Sequence, residues 1–277
     1  MGMEEKLFVP NGRSKEEDIS FCRDMSYEEV DNRLFIRGVA KGKKFEHVNF
    51  NYCIFDVCYF RKCVFTHCNF IGCRFVGCSF NGSNFIDCDL RYAVFERTQV
   101  DVSSLSESAP NEENLRAKFF RSLRVNYQQQ GDTASVNFVI RQELMATRKH
   151  LLKSWFAPEE YYRSKYKSLS RAGKFVEWSW FVILDWIWGN GESLKKLIFT
   201  VLCVFIFIVL YLISISPGEF TLNMLAEAIK KTPLVFLGIK NISDDHHNDG
   251  VFAIIYFVRL VIFGLFMSLL VKKISRR

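Results

Sequence analysis

The sequence predicts a chain of mixed architecture, with a repetitive coiled region first, then helices, then a helical membrane region. Phenylalanine recurs at every fifth position from Phe45 to Phe85. Leu197 to Ser216 is a stretch of twenty residues without a charge, and Val251 to Val271 is a second apolar stretch with one charge, Arg259. A period of five fits neither a helix nor a flat strand, so the repeat must define its own geometry.

A column of small side chains accompanies the phenylalanines, two positions before most of them. Its members are Cys53, Cys58, Cys63, Cys68, Cys73, Cys78, Ser83, Cys88 and Ala93. Zinc ligands come as clustered sets around a loop, whereas here one cysteine recurs at constant phase, which favours packing inside a coil. We therefore expect no metal and no disulfide here, and a reducing cytoplasm suits such a column.

The pattern small-x-Phe-x-x resembles the pentapeptide-repeat family over about Gly38 to Arg97. The resemblance implies a short right-handed quadrilateral β-helix in which four pentapeptides make one square turn. Phe55 then stacks over Phe75 and Cys53 over Cys73, at the strand spacing of about 4.8 Å. Twelve pentapeptides make three coils, and residues 1–37 are assigned to an N-terminal segment or cap.

The charge pattern indicates a membrane surface as the partner of the middle region. The formal net charge is +7, and residues 141–174 hold nine Lys or Arg against three acids. Anionic lipid headgroups are the expected partner of this stretch, and nucleic acid is the less favoured alternative. Some pentapeptide-repeat proteins imitate DNA with acidic faces, but the outward positions here are mixed to basic, so that role is not expected.

Residues 98–174 are predicted to form a helical hairpin and a basic linker. Ser103 to Asn111 is a polar linker, and an amphipathic helix follows, marked by Leu115, Phe119, Leu123 and Tyr127. Gly131-Asp132 breaks this helix, and a second one is marked by Val136, Phe138, Ile140, Leu144 and Met145. The expected role of the hairpin is that of a spacer.

Residues 175–192 are treated as one segment, and its stretch from Phe175 to Trp188 contains four of the five tryptophans and two acids, Glu177 and Asp185. The segment is short for a membrane crossing, and tryptophan prefers the headgroup level of a bilayer. The sequence therefore predicts a tryptophan-rich helix that lies in the membrane interface.

Residues 193–277 are predicted to be a two-span membrane domain, because each apolar stretch is long enough to cross about 30 Å of hydrocarbon. Lys195 and Lys196 flank the start of the first span, and Lys272, Lys273, Arg276 and Arg277 flank the end of the second. The positive-inside rule places both termini in the cytoplasm. The connecting segment, Pro217 to Gly250, has an apolar middle about ten residues long, which can dip into a bilayer and return but cannot cross it.

The order of these elements looks like a bacterial group of pentapeptide-repeat proteins with a potassium-channel-like C-terminus. The local matches are Gly131-Asp132 with Ala134, Phe138 and Glu143, then Trp188 to Glu192, then Arg259, Gly264, Phe266 and Lys272 to Arg277. The resemblance implies a re-entrant pore loop, a homotetramer and a bacterial inner (plasma) membrane location.

The filter is where the chain departs from that group, whose pattern is Thr-Leu-Gly-Phe-Gly or Thr-Val-Gly-Tyr-Gly. Leu237, Gly238, Ile239 and Lys240 align with Leu-Gly-Phe-Gly, so a cationic side chain replaces the second glycine. Backbone carbonyls of the filter replace the water shell of the ion, and a lysine there disfavours a row of potassium ions bound by such carbonyls. We therefore expect the potassium selectivity of this chain to be altered or lost.

Four other positions are candidate site residues. Asp244 and Asp245 either concentrate cations at an outer vestibule or lie in a solvated loop. Arg259 of the inner helix requires a partner, either Glu227 or a lipid phosphate. Gly264 is either a hinge or a packing site against a neighbouring helix.

Two functions remain open, an oligomeric channel-like membrane protein and a non-conducting membrane-anchored scaffold whose repeat surface docks a cytoplasmic protein. We expect no enzyme and no cofactor, because no nucleophile–base pair or phosphate loop stands out. His246 and His247, close to three aspartates, are expected to be solvated and not to hold a metal.

Overall fold

The computed structural model describes residues 12–216, 221–239 and 249–275 of the chain. Lys240, Asp244, Asp245 and the two histidines beside them lie outside the described residues. The chain divides into two compact units, Met1–Tyr166 and Lys167–Arg277. Each unit is described by itself.

The first unit begins with a solenoid of short parallel strands. They are β1 (Ser14–Glu17), β2 (Met25–Ser26), β3 (Arg33–Ile36), β4 (Val39–Lys41), β5 (Lys44–Glu46), β6 (Ile54–Asp56), β7 (Tyr59–Arg61), β8 (Val64–Thr66), β9 (Arg74–Val76), β10 (Asn84–Ile86) and β11 (Val94–Glu96). They form three sheets, in the orders β1-β3-β6-β9-β11, β10-β8-β5-β2 and β4-β7. Isolated bridges such as Asn49 to Asn69 mark the fourth side of the square.

The predicted stacking is confirmed. Phe55 pairs in register with Phe75, and their ring centroids lie 5.1 Å apart. Phe45, Phe65 and Phe85 form an equivalent stack, with centroid distances of 4.8 Å and 5.0 Å. Phe55, in the middle of the solenoid, contacts rings above, below and beside it, and the core is closed to solvent.

The solenoid is longer than the three coils predicted, with about four turns. β1 pairs in parallel with β3, so residues 14–37 belong to the coils and not to a separate N-terminal segment or cap. The sequence signal is weaker there because Met25, Val30 and Ala40 stand at inward positions that the later coils fill with phenylalanine. Phe21 fills the N-terminal end of the core against Phe35 and Phe45.

Each corner of the solenoid uses a left-handed residue, two positions after the inward phenylalanine. Glycine takes this conformation freely at Gly77, whereas Val57 adopts it at φ 52°. A β-branched residue rarely occupies this region, because its side chain crowds the backbone. The period of five therefore follows from three short extended residues and a corner.

Four helices complete the first unit: α1 (Val102–Glu107), α2 (Glu113–Gln130), α3 (Thr133–Phe156) and α4 (Glu160–Lys165). The predicted helical hairpin is confirmed as α2 and α3, with Gly131 in the left-handed conformation at the turn. The predicted polar linker at Ser103–Asn111 is wrong for its first part, because α1 occupies it. The Asp101 carboxylate accepts the Ser103 N–H to begin α1, and Leu105 is buried against the solenoid.

The described residues of the second unit form four helices: α5 (Ser168–Trp188), α6 (Leu194–Ile215), α7 (Leu222–Phe236) and α8 (Asp249–Ser275). Two segments, Leu194–Ile215 and Gly250–Ile274, are long and apolar enough to cross a membrane by length and composition. They match the two predicted spans. The segment between them contains the 15-residue helix α7.

Candidate functional site

The cysteine column is a hydrogen-bond ladder between coils. The Cys73 thiol donates to the Phe50 carbonyl at 2.9 Å, and the Cys53 thiol donates to the Val30 carbonyl at 2.9 Å. The hydroxyl at Ser83 makes both bonds of this pattern, since its Oγ donates to the Phe60 carbonyl and accepts the Cys63 N–H. The column therefore does more than fill space, because it satisfies backbone groups that the corners leave unpaired.

Burial disfavours the thiolate form of two cysteines of the column, Cys53 and Cys73. Burial raises the pKa of Cys53 to about 11 and raises the pKa of Cys73 well above its usual value. Every cysteine in the described part of the chain is a free thiol. Within those residues no group of three or more His, Cys, Asp or Glu side chains is placed to hold a metal ion.

The last coil ends on side chains of α2. The Asn126 side-chain amide accepts the Thr98 N–H at 2.8 Å and donates to the Thr98 carbonyl at 2.9 Å. The Tyr127 hydroxyl donates to the Val100 carbonyl at 3.0 Å, and Phe119 lies edge-on to Phe95. Asn126 thus supplies the partners that a further coil would supply, and α2 caps the solenoid instead of serving only as a spacer.

A glycine-rich turn joins helices α5 and α6 of the second unit. Gly189 has a φ of 65°, and a Cβ there would lie 2.8 Å from the Cβ of Ser193, so this position requires glycine. Lys272, near the end of α8, donates to the Gly191 carbonyl at 3.1 Å and pairs with the Glu192 carboxylate. The start of α6 and the end of α8 therefore lie at the same end of this unit.

Helix α7 ends beside the middles of α6 and α8. Phe236, its last residue, meets Phe205 with a ring centroid distance of 5.1 Å, and Phe205 lies halfway along α6. Ala228 and Val235 are buried on the same side of α7, against Ile208 and Leu212 of α6 and Ile255 of α8. A helix that runs back to the middle of two antiparallel helices is the arrangement expected of a re-entrant segment.

Arg259 binds the C-terminal end of α7. Its Nη1 donates to the Leu237 carbonyl at 2.6 Å, and its guanidinium lies 5.4 Å from the centre of the Tyr256 ring. A cation is favoured at a helix C-terminus, where free carbonyls concentrate negative partial charge. Glu227, one predicted partner of Arg259, instead lies 3.4 Å from Lys231 on the exposed side of α7.

The other predicted site residues lie after α7, in α8, or outside the described residues. Gly238 follows Leu237 with a φ of 68°, and a Cβ there would lie 2.8 Å from the Arg259 guanidinium, so glycine allows the arginine to reach the carbonyl. Ile239 is exposed next to it. A Cβ at Gly264 would meet nothing within 4 Å, so no described side chain of this chain packs there. Lys240, Asp244 and Asp245 are among the residues not described.

An apolar cleft of about 590 Å³ opens beside this contact. Its walls include Leu197, Val201, Phe236, Ile262, Phe263 and Phe266, and among the described lining residues only Arg259 is charged. The sequence alone did not predict this cleft.

Ion pairs occur on the surface of the solenoid, but the side formed by β4 and β7 carries three cations that make none among the described residues. Arg37 pairs with Asp18 at 2.6 Å and Arg74 pairs with Glu96 at 2.8 Å. Lys41 and Arg61 instead stack in register on β4 and β7, beside Lys62, and these three make no ion pair among the described residues. Like charges in register repel, so this side favours anions over cations.

The sequence did not predict that the cysteine column forms hydrogen bonds, nor that α2 caps the last coil. A signal for the first was present, because Ser83 replaces cysteine while Ala93 is the exception, so most members carry a hydrogen-bonding atom. Asn126 carries no such signal, because an asparagine in a helix has many ordinary roles.

Comparison with known families supports the first unit alone. The family model for the pentapeptide repeat region matches residues 34–105. A search of the curated proteins returned no match.

Proposed function

We propose that this chain is one subunit of an oligomeric, channel-like membrane protein with a cytoplasmic pentapeptide-repeat domain, in which potassium selectivity is altered or lost. The observation that carries the proposal is the position of α7. Its end reaches the middles of two antiparallel apolar helices, where a pore segment of a potassium-channel-type subunit belongs.

The exposed surface of the second unit supports assembly with other subunits. Only 17% of each apolar window in α6 and α8 is buried within the chain, and residues such as Phe207 and Leu260 lie open. Lipid covers such surfaces in part, but backbone N–H and C=O groups in the turn after α7 require protein or water around them. A homotetramer around this turn meets that requirement.

The contact between Arg259 and Leu237 supports loss of potassium selectivity. A potassium filter needs carbonyl oxygens that are free to replace the water shell of the ion. The Leu237 carbonyl already accepts a hydrogen bond from a fixed cation at 2.6 Å. A second cation at the same oxygen is opposed by Coulomb repulsion in a low-dielectric setting. Lys240 adds a further positive charge to the same segment.

The proposed orientation places both termini in the cytoplasm of a bacterium, with the spans in its inner membrane. Lys195 and Lys196 lie at the start of α6, and Lys272 and Lys273 lie at the end of α8. The bond from Lys272 to Gly191 brings these two ends together. The positive-inside rule counts these lysines even where they are paired with acids.

A non-conducting, membrane-anchored scaffold is the second candidate, and the same arginine favours it. A guanidinium that binds the Leu237 carbonyl leaves that oxygen unavailable to an ion. In that case the solenoid provides the functional surface, as a docking face for a cytoplasmic protein. Neither candidate requires an enzymatic step.

Ion flux from liposomes that contain the purified protein separates the two candidates. The pore proposal expects passage of potassium, sodium or chloride above that of empty liposomes. Complete absence of flux for all three ions would contradict it and leave the scaffold. The mass of the particle in detergent or nanodiscs is the companion measurement, because a lone subunit cannot enclose a pore.

Arg259→Gln tests the role assigned to the arginine. Removing the charge beside the Leu237 carbonyl should raise the permeability of potassium relative to chloride by roughly tenfold. Lys231→Gln is the matched control, since it removes one positive charge from the exposed face of α7. Equal effects of the two variants, or no change in either, would contradict the assignment. Lys240→Gly is expected to shift selectivity in the same direction as Arg259→Gln.

A further inference from the structure

The outward face of α3 is unusual for a surface helix. Its inner face, including Val136, Val139 and Ala146, is buried in the first unit, as expected of an amphipathic helix. Its outer face should then be polar. Instead Met145, Leu152 and Phe156 lie 52%, 39% and 71% exposed.

These three apolar side chains form one ridge with cations along it. Arg141, Arg148 and Lys149 are also exposed. At 3.6 residues per turn, the six positions share an arc of about 100° on the helix. We call this surface, made of Arg141, Met145, Arg148, Lys149, Leu152 and Phe156, the α3 ridge. An exposed apolar ridge of this kind marks an interaction site.

We infer that the α3 ridge inserts into the headgroup layer of an anionic bilayer. Apolar side chains flanked by Arg and Lys on a helix that is otherwise packed on protein are suited to the boundary between headgroups and acyl chains. The long stems of the three cations reach phosphate groups while Phe156, Leu152 and Met145 enter the acyl region. The same chain holds two helices long enough to span a bilayer, so such a surface is within its reach.

The charges argue against a second copy of the chain as the occupant. A symmetric contact of the ridge with itself would place three cations against three cations, which is unfavourable. One of the three ridge cations is paired within the chain, since the Glu113 carboxylate lies 4.0 Å from the Lys149 ammonium. Glu159 pairs with Lys153, which lies beside the ridge, at 3.1 Å.

This inference does not depend on conduction by the second unit. A protein without ion flux can still have an immersed ridge, and a conducting protein can lack one. The two proposals therefore fail separately.

The test measures the depth of a spin label at position 152 of the full chain in nanodiscs. The background carries Cys22→Ser and Cys203→Ala, because the seven cysteines of the column are buried and resist labelling. The control label replaces Gln129, an exposed residue of α2. Accessibility to oxygen reports the acyl region, and accessibility to a water-soluble nickel complex reports solvent.

In discs rich in phosphatidylglycerol, the label at 152 should be reached by oxygen and shielded from nickel, whereas the label at 129 should be reached by nickel. In discs of phosphatidylcholine the immersed fraction at 152 should fall about threefold or more. Neutralising the ridge with Arg141→Gln, Arg148→Gln and Lys149→Gln should remove this dependence on lipid charge. The matched control is Lys41→Gln, Arg61→Gln and Lys62→Gln, which removes equal charge from the solenoid and should leave the label immersed.

Two outcomes would overturn the inference. One is nickel accessibility at 152 equal to that at 129 in both kinds of disc. The other is dipolar coupling between labels at 152 of neighbouring subunits, which would make the ridge an interface between copies. Since Leu152 is partly exposed, a label there should leave the fold intact. A label at Met145 provides an independent reading of the same face.

Discussion

The two units of this chain differ in how much of their apolar surface is buried within the chain. In the solenoid, phenylalanines such as Phe65 and Phe75 are completely buried by their own repeats. In the second unit, Phe207 of α6 is 56% exposed although the helix is far more apolar. The first unit buries its own apolar core, whereas the apolar surface of α6 and α8 in the second unit is mostly exposed within the chain. Five measurements test this difference between the two units.

The same truncation in the two units should have very different effects. Phe65→Ala removes a ring that contacts Phe45, Phe85, Phe60 and Phe70, and it should lower the free energy of unfolding of the solenoid by about 3–5 kcal/mol. Phe207→Ala should leave that transition unchanged. Denaturation of the purified protein followed by circular dichroism checks both, and a small loss for Phe65→Ala would contradict a closed core.

Asn126→Ala should open the end of the solenoid. It leaves the Thr98 N–H and carbonyl without the two bonds from the side-chain amide, at a cost of about 2 kcal/mol. Hydrogen exchange at the last coil should accelerate while the middle coils keep their protection. Gln128→Ala, at an exposed position of the same helix, is the control and should change neither quantity.

Gly264→Leu tests whether copies of the chain cover α8. Nothing in the described chain lies near this position, so the single subunit should tolerate the substitution. If a neighbouring subunit packs there, the oligomer should dissociate at least roughly tenfold more readily, which is about 1.4 kcal/mol. Native mass spectrometry measures the effect, and Gly173→Ala in α5, also in open space, is the control. An unchanged oligomer would leave lipid as the cover of this face.

Val57→Gly should stabilise the solenoid by about 1 kcal/mol, because a β-branched residue at φ 52° is strained and glycine is not. The reverse exchange at the next coil, Gly77→Val, should destabilise it, since the same conformation is required there at φ 62°. Thermal unfolding of the two variants is the measurement. Equal signs for the two changes would contradict strain at the corners.

The smallest effect expected is the pH dependence of the hairpin. Hydrogen bonds from the side chain and backbone N–H of Ser135 lower the pKa of Asp132, which begins α3. The ionised Asp132 carboxylate therefore stabilises the folded protein above its unfolded pKa of ~3.9. This stabilisation is lost as the pH falls through the lower pKa of Asp132 in the folded state. Asp132→Asn keeps the cap but removes the charge. The difference in stability between wild type and variant, below about 1 kcal/mol, should vanish in acid.

The parts of the fold that could be predicted are those with a local, repeated cause. The phenylalanine period and the small column predicted the solenoid, and the family model later matched residues 34–105. Gly131-Asp132 predicted the turn between α2 and α3. The first coil was missed because Met25 and Ala40 interrupt the pattern, and α1 was missed because Ser103 to Glu107 resembles a linker in composition.

The candidate site was only half predictable. Arg259 and Gly238 were identified from sequence, but their link through the Leu237 carbonyl joins residues 22 positions apart whose types do not indicate a pair. The α3 ridge is a further case, because charge counting predicted a basic stretch without indicating which side chains face outward.

By itself, the sequence determined the repeat geometry, the hairpin and the two apolar helices, because each depends on spacing within a few residues or on composition along one segment. Only the tertiary structure decided that Asn126 ends the solenoid, that α7 runs back to the middles of α6 and α8, and that Arg259 holds the end of α7. These contacts join distant segments, and a hydrogen bond between a side chain and a backbone carbonyl depends on position rather than on the identity of the residue that supplies the carbonyl.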